Sequence, residues 1–297
     1  MPSKTISLGA PFGWLADALA LCRSRVRLLI GAAALVMAAL LLPSLVELLM
    51  IAALHPSETV VLGIQLVGVL FSVLAFPPLF GGYFRMVDAT VGGRPASPLD
   101  VFAVYRDAES AWRLILTSLA FLVIAIIVFG GLAVAAGASY LIELFKVIMT
   151  ATPGQAPTLP PVPPGFRSWI LVFVLVGVVF ATAQGLSQVQ AALCKRNPVQ
   201  IVGDAFAATV RNLGAFLLFY LAMLLVTIVV VVVFVLVMAL LAFVLASLST
   251  TVALVVLLPI YLALIVTMYA LTFTFTYYAW RGLLGGADAA PSDQLAV

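Results

Sequence analysis

Gln184 and Gln188 stand four residues apart inside a long apolar run, so on a helix they share one face. Amide side chains placed this way can hydrogen-bond a polar solute between helices. Gln65 in an earlier run and Thr267 in a later one offer the same chemistry. Polar groups are costly in lipid, so these four are the candidates to line a polar cavity. The other reading makes them interhelical hydrogen bonds, worth roughly 0.6 kcal/mol each. Thr182, Ser187 and Gln190 crowd the same run as Gln184, while Thr267, Thr274 and Tyr278 share a face leading to Arg281.

A second set is acidic. Asp17, Asp100 and Asp204 each open a segment Asp-x-(Leu/Phe)-Ala, and each is followed by an arginine: Arg23, Arg106 and Arg211. Three carboxylates at matched positions could serve a lipid-modifying reaction at an interface. They could also start helices or pair with arginine, which is the simpler account. The three arginines are candidate contacts for lipid headgroups.

Other chemistry is missing from the pattern. The single histidine, His55, has Glu58 three residues on, where Ser57 and Glu58 read as a helix start, so a turn or cap fits it better than a general base. No His-x-x-x-His, Cys-x-x-Cys or Glu-x-x-His spacing occurs. The glycine pairs Gly81-Gly82 and Gly92-Gly93 lack the Lys-Ser/Thr of a phosphate loop, and there is no Gly-x-Ser-x-Gly elbow. Cys22 and Cys194 read as small apolar residues. No catalytic residue, metal or cofactor is expected. No charge sits at the centre of an apolar run, Glu47 coming nearest, which argues against proton-coupled transport.

What must position these groups is a membrane. The hydrophobic fraction is 65% and the charged fraction 8%, against roughly 45–50% and 25% in soluble domains. Mean hydropathy is +1.28. The net charge of +3 is too small to suggest nucleic acid. Six runs are long enough to span, near 28–54, 60–84, 113–138, 168–193, 213–247 and 252–280. The first follows Arg23, Arg25 and Arg27 and is too long for a cleavable signal, so it reads as an anchor that stays. Twelve Lys and Arg fall on one side (Lys4, Arg23, Arg25, Arg27, Arg85, Arg94, Arg106, Arg113, Lys195, Arg196, Arg211, Arg281) and two on the other (Lys146, Arg167). That bias puts the basic side, and both termini, in the cytoplasm.

The expected fold is all-α: an integral membrane protein of six transmembrane helices in three parallel helical-hairpin repeats, each preceded by an amphipathic interfacial helix. The short segments lie near 12–24, 98–110 and 199–210, and Trp14, Ala18, Leu21 and Cys22 share a face of the first. One transmembrane domain covers 1–297, with tails at 1–10 and 286–297 and units near 12–90, 98–196 and 199–285. Pro77-Pro78 is expected to break the second span and Pro259 to kink the sixth. Gly130, Gly131, Ala135 and Gly137 read as a close-packing face, Glu143 and Lys146 as an extension of the third helix, and Pro153 to Pro164 as extended chain. The charges between Arg85 and Arg113 read as a solvated face of ion pairs, with headgroup contact or protein docking as alternatives.

Three stretches carry a resemblance. Ala205 to Phe216 is one; Pro78-Leu79-Phe80-Gly81-Gly82 with Gly93-Arg94-Pro95 is another; Tyr277-Tyr278-Ala279-Trp280-Arg281 closes the chain with Tyr-x-x-x-Arg. They resemble a family of uncharacterised multi-pass inner-membrane proteins of bacteria, similar in layout to the membrane domain of glycerophosphodiester phosphodiesterases. The resemblance implies a six-helix fold and no active site, since the phosphodiesterase catalytic domain is lacking here. The threefold repeat and the missing chemistry lead to the expected function, a non-enzymatic accessory or scaffold in the bacterial inner membrane that binds lipids or a protein partner at the cytoplasmic face. The alternative is a permease or channel-like transporter using the four polar residues.

Overall fold

The computed structural model describes residues 4–54, 57–149, 160–162, 165–246 and 249–285. These form α1 (Ala10–Ser24), α2 (Val26–Leu54), α3 (Glu58–Val91), a 3₁₀ helix (Pro98–Arg106), α4 (Ala108–Met149), α5 (Phe166–Leu193), α6 (Pro198–Arg211), α7 (Leu213–Ala246) and α8 (Thr250–Leu283). A short helix followed by two long ones thus occurs three times along the chain. The six long helices are long and apolar enough to cross a membrane, and the protein is a multi-pass membrane protein.

Each short helix starts and stops for local reasons. Pro11, Pro98 and Pro198 lie in the first turns, where a missing N–H costs nothing. Ser97 and Asn197 cap the second and third by accepting from the Leu99 and Val199 amides. Arg23, Arg106 and Arg211 sit in the last turns, beside orphaned carbonyls. A single residue then joins each short helix to the next long one: Arg25, Asp107 and Asn212. The buried face of α6 is Ile201, Ala205, Ala208 and Thr209, the 3–4 spacing of an α-helix. In the 3₁₀ helix the buried pair is Val101 and Val104, a spacing of three, while Phe102 and Tyr105 are exposed. In α1, Ala18 is buried, and Trp14, Leu21 and Cys22 pack against the core, as the expected face requires.

The core lies at one end of the long helices. It takes Leu29 and Val36 from early α2, Tyr83 and Val87 from late α3, Leu114 from early α4, Leu186 and Val189 from late α5, Phe216 from early α7, and Tyr277 and Leu283 from late α8. The short helices are wedged into this packed end. α6 lies on α4 and α5, where Phe206 stacks on Phe121 with ring centres 5.2 Å apart and meets Phe180 edge-on at 5.2 Å. The 3₁₀ helix lies on α2 and α3. α1 lies on α7 and α8, where Phe12 meets Phe219 at 5.4 Å and Phe219 stacks on Phe275 at 4.7 Å. Each short helix therefore covers the pair of long helices that precedes it, and α1 covers the last pair. α3, α5 and α8 touch one another in the middle. Away from this end the long helices expose their side chains, as in α7 from Leu224 to Val233. α7, with 34 residues, is about 51 Å long against a ~30 Å hydrocarbon core.

Several local expectations change. Pro77 and Pro78 lie inside α3 without ending it. The segment is buried against its neighbours, and the Tyr105 hydroxyl donates to the Ala75 carbonyl beside the prolines. The segment near 98–110 is not one amphipathic α-helix: Asp107 ends the 3₁₀ helix and α4 begins at Ala108. Gly130, Gly131 and Gly137 do not form a packing face, because a Cβ on any of them would meet nothing within 4 Å. Gly137 instead interrupts α4 at φ 103°, a conformation that favours glycine. α4 continues past it to Met149, carrying Glu143 and Lys146. His55 and most of the Pro153–Pro164 stretch lie outside the described residues.

Candidate functional site

The polar groups that converge do so at the packed, basic end. Arg85 of α3 and Arg113 of α4 reach the C-terminus of α5 together. The Arg85 Nε donates to the Ala192 carbonyl at 2.9 Å, and the Arg113 Nε to the Ala191 carbonyl at 2.9 Å. These are carbonyls that the end of α5 leaves without helical partners, and positive charge is favourable there. Both guanidinium groups also donate to the Ser110 hydroxyl, at 2.5 and 2.9 Å. Arg85 pairs with Asp107 and Arg113 with Glu109. Sequence reasoning placed these charges on a solvated face; Arg113 and Ser110 are buried. The available signal was the position of Arg113, in the second turn of a helix that is apolar from there on.

Asp107 caps α4 by accepting from the Ser110 amide at 3.3 Å. The Ser110 hydroxyl and amide hold its carboxyl down at about 2, with Arg85 helping. A lowered carboxyl stabilises the folded state fully above its ordinary value near 3.8, and that contribution is lost as pH falls towards about 2. Asp107→Asn is therefore expected to melt less steeply than the parent as pH drops through that window, and to show no change in pH slope above pH 5. Paired melting curves in detergent from pH 6 to pH 2 measure this.

Two more acids join elements. Asp88 of α3 accepts from Tyr277 of α8 at 2.9 Å and from Arg94 at 2.6 Å. Asp204 of α6 accepts from Arg196 at 2.6 Å and from Gln190 at 3.3 Å. Asp100 accepts from the Ser97 amide in a reciprocal cap at 2.7 Å. Two of the three matched aspartates thus act as a helix start and an arginine partner. Asp17 is exposed on α1.

Asn212 holds the N-terminal residues. Its amide nitrogen donates to the Lys4 carbonyl at 3.0 Å, and its oxygen accepts from the Ile6 amide at 3.0 Å. The Lys4 amide in turn donates to the Leu283 carbonyl at 3.4 Å. Asn212→Ala is expected to raise hydrogen exchange at the Ile6 amide about tenfold, the loss of one buried bond of about 1.4 kcal/mol, and to leave α5 unchanged. Exchange measured by mass spectrometry reads both.

The four cavity candidates do not share an environment. Gln188 is buried and donates to Ser118 at 2.7 Å, an interhelical bond between α5 and α4. Gln65 and Gln184 are exposed. Thr267 is exposed, and its hydroxyl donates to the Ala263 carbonyl of its own helix at 2.7 Å. A groove of about 490 Å³ between α7 and α8 is lined by apolar side chains such as Phe234, Met238 and Leu258 together with Tyr261, and by none of the four. Gln188 Oε1, Gln190 Oε1 and the Trp280 indole N–H are buried without a protein partner. Arg23, Arg106 and Arg211 are exposed, each at the end of a short helix. Among the described residues no group of three or more His, Cys, Asp and Glu could hold a metal ion.

Six apolar spans bound at one end by wedged short helices and arginine ties define a helical multi-pass membrane protein. No family model, curated protein or solved structure matches the chain.

Proposed function

We propose that this chain is a non-enzymatic integral protein of the bacterial inner membrane, a scaffold or accessory that binds lipids or a partner protein through its basic end. Both termini and the basic end lie in the cytoplasm. The three short-long-long units are parallel repeats, each a short interfacial helix followed by a hairpin of spans. In this proposal the resemblance to the inner-membrane family stands for the six-span fold alone.

The observation that carries the reading is the division of the molecule into two ends. Where the basic residues gather, the helices are packed and Arg85, Arg94, Arg113 and Arg196 are paired; beyond that, the long helices offer apolar side chains outward. Such a body displays a fixed cytoplasmic surface on a lipid-embedded stem. The span hydroxyls support it too: Thr117, Thr267 and Thr274 donate to carbonyls of their own helices, not into a shared space. The permease reading needs Gln65, Gln184, Gln188 and Thr267 around one cavity, and their differing exposure gives it no support.

Reconstitution into liposomes tests the proposal. Purified protein is expected to move no solute from a broad panel and to leave the lipid composition unchanged. Saturable flux or turnover of a lipid sinks the scaffold reading.

A further inference from the structure

The three corners where a short helix meets a long one differ in one respect. Asp107 at the second corner is held by Arg85 and Ser110. Asn212 at the third is held by Lys4 and Ile6. At the first corner stands Arg25, flanked by Arg23 and Arg27. All three are exposed, and among the described residues none has a side-chain hydrogen bond or ion pair. Arg85, Arg94, Arg113 and Arg196, by contrast, are all paired. The first corner is thus the same junction with its protein partner missing and three arginines in its place.

We propose that the α1–α2 corner binds the headgroup of an anionic phospholipid from the surrounding leaflet, with Arg23, Arg25 and Arg27 supplying the positive charge. This rests on the reading that the basic end meets the membrane surface. The position is fixed by the chain: Val26, between two of the arginines, is the first residue of a 29-residue apolar helix. The corner therefore lies where hydrocarbon gives way to headgroups. Guanidinium groups match phosphate oxygens in charge and fork geometry. Val26, Leu19 and Phe12 are exposed on the same junction and its short helix, giving the acyl chains an apolar surface to follow. Within residues 4–30 the charges are Lys4 and the three arginines against Asp17 alone, and none of the three arginines is paired with it.

The test uses the full-length protein in detergent micelles doped with phosphatidylglycerol or phosphatidylcholine, with retained lipid counted by native mass spectrometry. The parent is expected to retain phosphatidylglycerol in preference. Changing Arg23, Arg25 and Arg27 together to Gln should weaken that retention about a hundredfold, and changing all three to Lys should restore part of it, the share carried by charge and not by the guanidinium fork, with melting temperatures of all forms alike. A triple Gln variant that retains phosphatidylglycerol like the parent overturns the corner site and leaves the basic-end reading standing. A parent with no preference for the anionic lipid overturns both. Equal competition by inorganic phosphate also overturns the proposal, because a free anion is then the ligand.

Discussion

Gly82→Ala is expected to prevent the packed end from forming. Gly82 lies in late α3 where the 3₁₀ helix crosses it, and a Cβ built there would overlap the Val101 carbonyl oxygen and carbon. What it meets is backbone, which cannot rotate away as a side chain can. Relief requires moving the 3₁₀ helix off α3, and with it Val101 and Val104, which are fully buried. Overpacking of a core usually costs about 1–3 kcal/mol, and more where the backbone must shift. We expect a loss of at least 3 kcal/mol, seen as a strongly lowered melting temperature or as protein that fails to fold in detergent. Gly130→Ala is the matched control. Nothing lies within 4 Å of its added methyl, so alanine should be neutral or stabilise α4 by about 0.5–1 kcal/mol through helix propensity. If both variants melt like the parent, the close crossing is wrong.

The second large effect belongs to Arg113. Its guanidinium is 7% exposed and donates to the Ala191 carbonyl, Ser110 and Glu109. Arg113→Ala removes a charge-assisted bond to the end of α5 and half of the arginine pair that joins α3, α4 and α5. Charge-assisted bonds to buried groups contribute about 1.5–3 kcal/mol each, so a loss of about 3 kcal/mol is expected. Arg113→Lys should recover little of it, because one ammonium cannot span the Ala191 carbonyl and Ser110 as a planar fork does. Arg94→Ala sets the comparison. Arg94 is 62% exposed and pairs with Asp88 at the surface, so its loss should cost less than about 1 kcal/mol. Chemical or thermal unfolding of the three variants in one detergent ranks them. Arg94→Ala falling as far as Arg113→Ala would show that burial is not what makes the difference.

How much of this was readable beforehand depends on which physical signal each feature sends. Spans announce themselves by uninterrupted hydropathy, and α2, α5 and α7 begin and end within a few residues of the expected limits. The short helices were legible from the recurring Asp-x-(Leu/Phe)-Ala and the arginine that follows it; the proline in each first turn was a further signal left unused. The 3₁₀ form of the second was not legible: Val101 and Val104 stand three residues apart, a spacing that an α-helical face also uses, so the pattern does not separate the two forms. Facing within the spans was the harder matter. A helix apolar all round has no amphipathic face to orient it, so nothing in the sequence separates buried Gln188 from exposed Gln184. Glycine was ambiguous for a similar reason. Gly81-Gly82 and Gly130-Gly131 look alike as dipeptides, yet the first lies under another backbone and the second faces open space. Only the identity of the crossing element decides, and that comes from parts of the chain distant in sequence. Arg113 was misjudged because charge suggests water; its partner across the fold is the Ala191 carbonyl at the end of α5, distant in sequence.

The contact of α1 with the last pair of long helices bears on how the chain could be reconnected. α1 covers α7 and α8 as the 3₁₀ helix covers α2 and α3, and the Lys4 amide meets the Leu283 carbonyl at 3.4 Å. Among the described residues each short helix lies on a pair of long helices in the same manner, whichever comes first in the chain. A circularly permuted chain, opened at the 92–97 connection and joined by a linker between Gly285 and Lys4, is expected to keep these contacts.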